Sequence, residues 1–213
     1  SFQGYASHLL GGEIVWKCKP NGKYQFTLVV YRDCGGISLP TSAQSLATNA
    51  GVSISCAYIS TTDVVPSCYT GTTSCSGATS GTGKMQKYVY RSGDITLTGT
   101  PPASGWYFTW NSCCRPGTIS NVVSPGGAGY LLRAVMYPYT PPGSTTALSA
   151  GTAANPTCFD NSPNFLEDPQ VTSCTNVDVV YNNLGYDPDL DSLYYNWSYP
   201  WDATSYSANP SSN

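Results

Sequence analysis

The sequence predicts an all-β protein in which a complete antiparallel β-sandwich is followed by a second, incomplete β module. Short runs rich in β-branched and aromatic residues recur along the chain, and Gly, Pro, Ser or Asn bounds each of them. Apolar residues almost nowhere recur at the 3.6-residue spacing of a helix. The length of 213 residues exceeds the roughly 150 of an average domain, so part of a second domain is expected.

The first two strands are predicted to form a hairpin from residues 13–18 and 24–31. Asn21-Gly22 lies between them, and this dipeptide favours a two-residue type I′ turn because both central residues of that turn need positive φ. Such a turn would place Cys18 opposite about Gln25.

The remaining elements follow from the same strand pattern. Further strands are predicted at residues 52–59, 85–90, 94–98, 106–110, 130–137, 177–181 and 193–199. Residues 41–47 are the one stretch expected to form a short helical turn. Residues 138–156 are rich in Pro, Gly and small side chains, which is typical of a linker. We therefore predict a disulfide-bonded sandwich over residues 1–140, a linker over 141–156 and an acidic partial module over 157–213.

Charge is sparse and unevenly distributed. Charged residues make up 10% of the chain and the net charge is −3, which argues against a nucleic-acid partner. Residues 1–133 hold all nine cations and four acids, for a net charge of +5, whereas residues 134–213 hold eight acids and no cation, for −8. Opposite ends of neighbouring copies are therefore expected to attract one another. Because no run of about 18 apolar residues is present, membrane insertion is not expected.

The cysteines indicate an oxidising compartment. Nine cysteines occur without Cys-x-x-Cys or Cys/His pairs, a pattern that is typical of disulfides and not of a zinc site. The protein is therefore expected to be secreted and to act outside the cell, at the cell surface.

Adjacent Cys113 and Cys114 should point to opposite faces of a strand and so bond to different partners. We expect these partners to be Cys18 and Cys34, in either order. Short loops favour two local bridges and one free thiol, although other pairings stay open: Cys68 with Cys75, Cys158 with Cys174, and Cys56 unpaired.

The polar residues bear on two kinds of chemistry, catalysis and metal binding. His8 is the chain's one histidine and lies near its start, which argues against Ser-His-Asp or Cys-His catalysis. Asp187, Asp189 and Asp191 stand at alternate positions, where their carboxylates can converge on a hard cation, and calcium is the natural candidate. The alternative is a solvated acidic turn, because Leu190 occupies the position where glycine would allow a tight wrap.

Residues 193–201 contain more aromatic side chains than a core strand needs. This density predicts either packing against another module or an exposed platform for sugars or a neighbouring subunit. We favour a protein contact that involves Tyr195, Trp197 and Trp201.

Three motifs together resemble a known group of proteins. They are residues 7–14 leading into 31–34, residues 106–115, and residues 158–163 with 187–193. They resemble the N-terminal region of large Bacteroidota surface proteins that are associated with gliding motility and exported by the type IX secretion system. The third motif is also similar to one in cadherin-like and polycystic-kidney-type sandwich repeats, where glycine usually replaces Leu190. The resemblance implies an extracellular adhesive or structural role without catalysis, and it makes His8 part of an N-terminal strand motif.

The predicted second module is shorter than the about 100 residues of an immunoglobulin-like sandwich. Its missing strands would come from a continuing polypeptide or from another copy by strand donation, and head-to-tail donation would build a filament. A calcium-dependent carbohydrate-binding module for surface glycans is the alternative function, and a secreted hydrolase is a weaker one. The candidate donor residues share the extended start of the chain: Ser1, Phe2, Tyr5, His8, Leu9 and Leu10.

Overall fold

Seven antiparallel strands form one sheet that closes almost into a barrel. The computed structural model describes residues 8–64, 75, 84–117, 119–169, 176, 178, 180–182, 184–198 and 200–201. In the sheet the strands lie in the order β1-β2-β5-β4-β3-β6-β7. Their bounds are β1 Leu9–Cys18, β2 Tyr24–Asp33, β3 Gln44–Thr48, β4 Ile54–Val64, β5 Met85–Ser92, β6 Trp106–Cys113 and β7 Gly129–Met136.

The two ends of the sheet, β1 and β7, come together across a seam. At this seam Gly12 lies so close to the Val29 carbonyl oxygen and to the Leu132 side chain that a Cβ atom would collide with both. Glycine at this position therefore lets β1 approach β7 and nearly close the barrel. The prediction of an all-β, antiparallel fold is therefore confirmed.

The core fills the interior of the sheet because every second side chain along each strand points inward. On β2 the residues Tyr24, Phe26, Leu28 and Val30 are fully buried. Phe26 packs against Phe108 of β6 with ring centroids 4.6 Å apart, and Trp16 of β1 joins them. Aromatic residues at alternate positions therefore fix which face of each strand turns inward.

The hairpin is confirmed, but its turn differs from the prediction. The Gly22 N–H donates to the Lys19 carbonyl at 2.9 Å, and Lys19 pairs with Lys23. Positive φ occurs at Gly22 and not at Asn21, so Pro20-Asn21-Gly22 forms a three-residue loop with glycine in the left-handed position. Cys18 consequently lies opposite Tyr24, one residue from the predicted partner.

Several element predictions need correction. The stretch predicted as a helical turn overlaps β3, whose Gln44, Ser45 and Leu46 pair with β4, because sheet pairing overrides weak local preference. Residues 94–98 contribute a single bridge, between Ile95 and Tyr24. Within residues 178, 180–181 and 193–198, the described parts of the last two predicted strands, no strand occurs.

The chain after β7 stays attached to the barrel. Ala150 is fully buried in the core, and its N–H donates to the Gly99 carbonyl at 2.7 Å. The predicted linker of residues 141–156 therefore contacts the barrel through Ala150. Farther on, two-residue strands β8 (Asn164–Phe165) and β9 (Gly185–Tyr186) form a small separate sheet. Across the described residues, no helix has the length and apolar character needed to span a bilayer.

Candidate functional site: the outer face of β1, β2 and β5

The side of β1 that faces away from β2 carries the chain that returns after the barrel. The Trp16 N–H donates to the Ser162 hydroxyl at 2.8 Å, and the Ser162 N–H donates to the Trp16 carbonyl at 3.1 Å. The Cys18 N–H donates to the Asn161 side-chain oxygen at 2.8 Å, and Cys18 forms a disulfide with Cys158. Residues 158–162, predicted to open the second module, are thus fixed against the first.

The same return places Asp168 on the outer face of the sheet. Tyr31 of β2 and Lys87 of β5 are register partners, and both donate to one Asp168 carboxylate oxygen, at 2.8 and 2.6 Å. Burial raises the pKa of Tyr31, and its hydrogen bond to Asp168 raises that pKa further. The acidic part of the chain is therefore joined to the basic barrel by a partly buried ion pair.

Glu13 lies beside this contact, on the outer face of β1 opposite Val29. Burial raises the pKa of its carboxyl group, and a hydrogen bond from the Phe165 N–H partly offsets that rise. Glu13, Tyr31 and Tyr181 line a pocket of about 170 Å³.

A second groove, of about 590 Å³, opens on the same face nearer the hairpin turn. Its floor comprises side chains from three adjacent strands, with Lys17 opposite Gln25 and Thr27 opposite Arg91. Lys17 and Arg91 are exposed, and neither forms an ion pair with any described residue.

The opposite wall of this groove comes from the returning chain, including Asn161, Asn164 and Tyr186. The Asn164 side-chain oxygen is buried and accepts no hydrogen bond from any described residue. Such an unpaired buried acceptor is costly and uncommon in native proteins. The groove therefore combines two unpaired cations with an unpaired acceptor.

The predicted metal-binding aspartates lie in a loop next to this wall. The Asp187 carboxylate accepts the N–H groups of Asp189 at 2.8 Å and Asp191 at 3.4 Å. The Asp189 carboxylate accepts the Asn161 N–H at 2.6 Å and its side-chain amide. Leu190 has φ of 65°, the left-handed conformation that glycine would adopt more readily.

Negative charge accumulates around this loop. Burial raises the pKa of Asp160 to about 6; the Trp16 indole N–H opposes the rise, and the carboxylates of Asp189, Asp187 and Asp191 add to it. No group of three or more His, Cys, Asp or Glu side chains in the described part of the chain is arranged to hold a metal ion. Calcium binding by Asp187, Asp189 and Asp191 stays a prediction.

The disulfide pairing predicted for the strand-end cysteines is wrong. Cys113 and Cys114 bond to each other. The Cys114 carbonyl accepts the N–H groups of His8 and Leu9 at the start of β1, whereas Cys18 stands at the end of that strand, about 30 Å away at the usual rise per residue. Cys18 and Cys113 therefore lie too far apart to bond.

Of the other cysteine predictions, the two local bridges are wrong and the free cysteine is confirmed. Cys34 bonds to Cys75, so the local bridge from Cys75 to Cys68 is wrong, and so is that from Cys158 to Cys174. Cys68 and Cys174 themselves lie outside the described residues. Cys56 is free, as predicted, and its side chain is buried.

The candidate donor residues are partly used within the chain's own sheet. Leu9 is almost completely buried in the core, and Leu9 and Leu10 belong to β1. This strand pairs with β2 of the same chain, and its donation to another copy stays a prediction. The His8 carbonyl accepts the Asp33 N–H at 3.0 Å. Ser1, Phe2 and Tyr5 lie outside the described residues.

The C-terminal aromatic candidates differ in exposure. Trp197 is 98% exposed and Tyr195 58% exposed. Trp201 is partly buried, and its carbonyl accepts a hydrogen bond from the Arg115 guanidinium at 3.1 Å. Trp197 and Tyr195 are therefore available for contact, whereas Trp201 is attached to the barrel.

Comparison of the chain with protein-family models, with curated proteins and with solved structures finds no match. The groove residues Lys17, Arg91 and Asn164 were missed by sequence reasoning. The alternation of Lys17 with the buried Trp16 was the available signal for an outward-facing cation, but nothing in the sequence placed Asn164 opposite it.

Proposed function

We propose that this chain is a non-enzymatic, secreted cell-surface protein with a structural or adhesive role, and that its copies associate head to tail. The observation that carries the proposal is the concentration of exposed apolar side chains late in the chain. Trp197, Val180 and Tyr194 are 98%, 95% and 88% exposed. Large exposed apolar surfaces on secreted domains usually mark contacts with other polypeptides.

The sheet of β8 and β9 is too small to bury these apolar side chains. Each of its strands has two residues, fewer than the five or six of an average strand, and an isolated two-stranded sheet is marginal on its own. We propose that this region is an immunoglobulin-like or cadherin-like module whose remaining contacts come from another polypeptide. Membership of the gliding-associated surface proteins is part of the same proposal and is supported by the sequence motifs alone.

A second copy of this chain is the partner we propose. The exposed apolar side chains belong to the part of the chain with net charge −8, whereas the barrel belongs to the part with +5. Arg133, for example, is exposed on β7. Contact between the acidic end of one copy and the barrel of the next is heterologous, so it builds a chain of subunits when the rotation between copies does not close a ring.

The test is the dependence of molecular mass on concentration, measured by light scattering and electron microscopy. We expect the native chain to form assemblies that high salt weakens, and a Tyr194→Ser/Trp197→Ser variant to stay monomeric. Ile59→Ser is the matched control because Ile59 is 49% exposed but lies on β4, in the middle of the sheet and away from β7. A native chain that is monomeric at every concentration, or a control that loses assembly equally, contradicts the proposal.

A further inference from the structure

The groove of about 590 Å³ on the outer face of the sheet has no part in the proposed self-association. We infer that it binds a saccharide that carries carboxylate groups, as uronic-acid oligosaccharides do. This inference goes beyond the proposed function and does not depend on it.

The size and the lining of the groove suit a hydrophilic ligand. Its volume lies within the roughly 300–1,000 Å³ of small-molecule binding clefts. Gln25, Thr27, Asn161 and Asn164 supply neutral side chains that both donate and accept hydrogen bonds. A ligand with many hydroxyl groups matches this lining better than an apolar one.

Lys17 and Arg91 supply the charge selectivity. They lie on β1 and β5, on either side of β2, and their register through Gln25 and Thr27 sets their backbones about 12 Å apart. Their long side chains can therefore reach one ligand from both sides. None of the described residues that line the groove has a carboxylate side chain, so the two cations are open to a ligand carboxylate.

The neutral lining favours a saccharide over a simple carboxylate ligand. Gln25, Thr27 and Asn164 line the groove with side chains that both donate and accept hydrogen bonds, whereas an ionised carboxylate only accepts them. Sugar hydroxyl groups can pair with both kinds of group. Tyr186, 45% exposed on the same wall, offers a flat ring against which a sugar ring can pack.

The experiment measures binding to the full chain by calorimetry with three probes. They are a short oligogalacturonate, the same oligosaccharide with its carboxyl groups methyl-esterified, and polyglutamate. We expect oligogalacturonate to bind and added salt to weaken that binding. The methyl ester should bind at least about tenfold more weakly because it cannot form charge-assisted contacts with Lys17 and Arg91. Polyglutamate should also bind at least about tenfold more weakly because it has no sugar hydroxyl groups.

Each alternative result has a definite meaning. Equal binding of the methyl ester overturns carboxylate recognition. Equal binding of polyglutamate overturns the saccharide assignment and indicates that the groove takes an acidic peptide, such as the acidic segment of a second copy. Absence of binding by every probe overturns the inference, whether calcium or a chelator is present.

Three variants locate the site. Lys17→Gln and Arg91→Gln change exposed side chains and should each weaken oligogalacturonate binding about tenfold or more without changing the melting temperature. Asn164→Ala removes an amide group from the groove lining and should also weaken binding. Arg133→Gln is the matched control, because Arg133 is an exposed cation on β7 outside the groove.

An equal loss in Arg133→Gln would show nonspecific attraction to positive charge and overturn the site. The Tyr194→Ser/Trp197→Ser variant separates this inference from the proposed self-association. It should remain monomeric and bind the oligosaccharide as the native chain does.

Discussion

Trp16 and Ser162 are joined by three hydrogen bonds although they stand 146 residues apart in the chain, and one of them runs from the Ser162 hydroxyl to the Trp16 carbonyl at 3.3 Å. The backbone N–H of Trp16 donates to the Ser162 hydroxyl, and the backbone N–H of Ser162 donates to the Trp16 carbonyl. Both residues are buried, so these groups have no easy access to water. This pair places the returning chain beside β1 and thereby forms one wall of the groove.

Ser162→Ala should lower the free energy of unfolding by about 1–3 kcal/mol, because it leaves the buried Trp16 N–H without its acceptor. Urea unfolding measures the change. Ser53→Ala is the matched control on an exposed position and should change stability by no more than about 0.5 kcal/mol. Equal effects of the two substitutions would contradict the importance of this contact.

Removing the Cys18–Cys158 disulfide should cost more. The bond spans 140 residues, and closing a loop of this size contributes about 4–5 kcal/mol in the chain-entropy account. We expect a Cys18→Ala/Cys158→Ala variant to lose about that much stability in denaturant unfolding. Peptide mapping without reduction should recover a peptide that joins residues 18 and 158, and a peptide that joins Cys18 to Cys113 or Cys114 would refute the pairing.

Phe108→Ala tests the interior of the barrel. Phe108 is fully buried and packs against Phe26 and Trp16, so its truncation should lower the free energy of unfolding by about 3–5 kcal/mol. Tyr137→Ala truncates an exposed aromatic residue and should have a small effect. If Phe108→Ala cost no more than Tyr137→Ala, Phe108 would not be a core residue.

Local sequence patterns predicted some elements of this fold and missed others. The alternation of apolar residues and the Asn21-Gly22 turn predicted β1 and β2 because neighbours along the chain determine both. β3 was missed because Gln44–Thr48 has one buried residue, Leu46, and depends on its partners β4 and β6. The groove was missed because Lys17, Arg91 and Asn164 meet only after long-range pairing, which no local pattern encodes.

Glu13 should make stability depend on pH. Burial raises its pKa above the ordinary value in the folded chain, so the folded state holds this proton more tightly than the unfolded state. The resulting stabilisation is complete below the ordinary carboxyl pKa and is lost as the pH rises through the raised value. Urea unfolding at several pH values should show this decline.

Glu13→Gln should reduce that decline, because glutamine stays neutral and its side-chain oxygen can still accept the Phe165 N–H. Glu167→Gln is the matched control, since Glu167 is an exposed carboxylate on the returning chain and its replacement should leave the pH profile unchanged. A decline that persists undiminished in Glu13→Gln would assign the pH dependence to other groups.

Cys56 should report on opening of the barrel. It is fully buried and free, and burial raises the pKa of its thiol to about 11. Because the thiolate is the reactive form, iodoacetamide should label Cys56 in the folded protein very slowly at neutral pH and rapidly in urea, and mass spectrometry follows the modified peptide. Phe108→Ala should accelerate labelling by increasing the population of open states, whereas Tyr137→Ala should not. Rapid labelling of the native chain would show that Cys56 is not enclosed by the sheet.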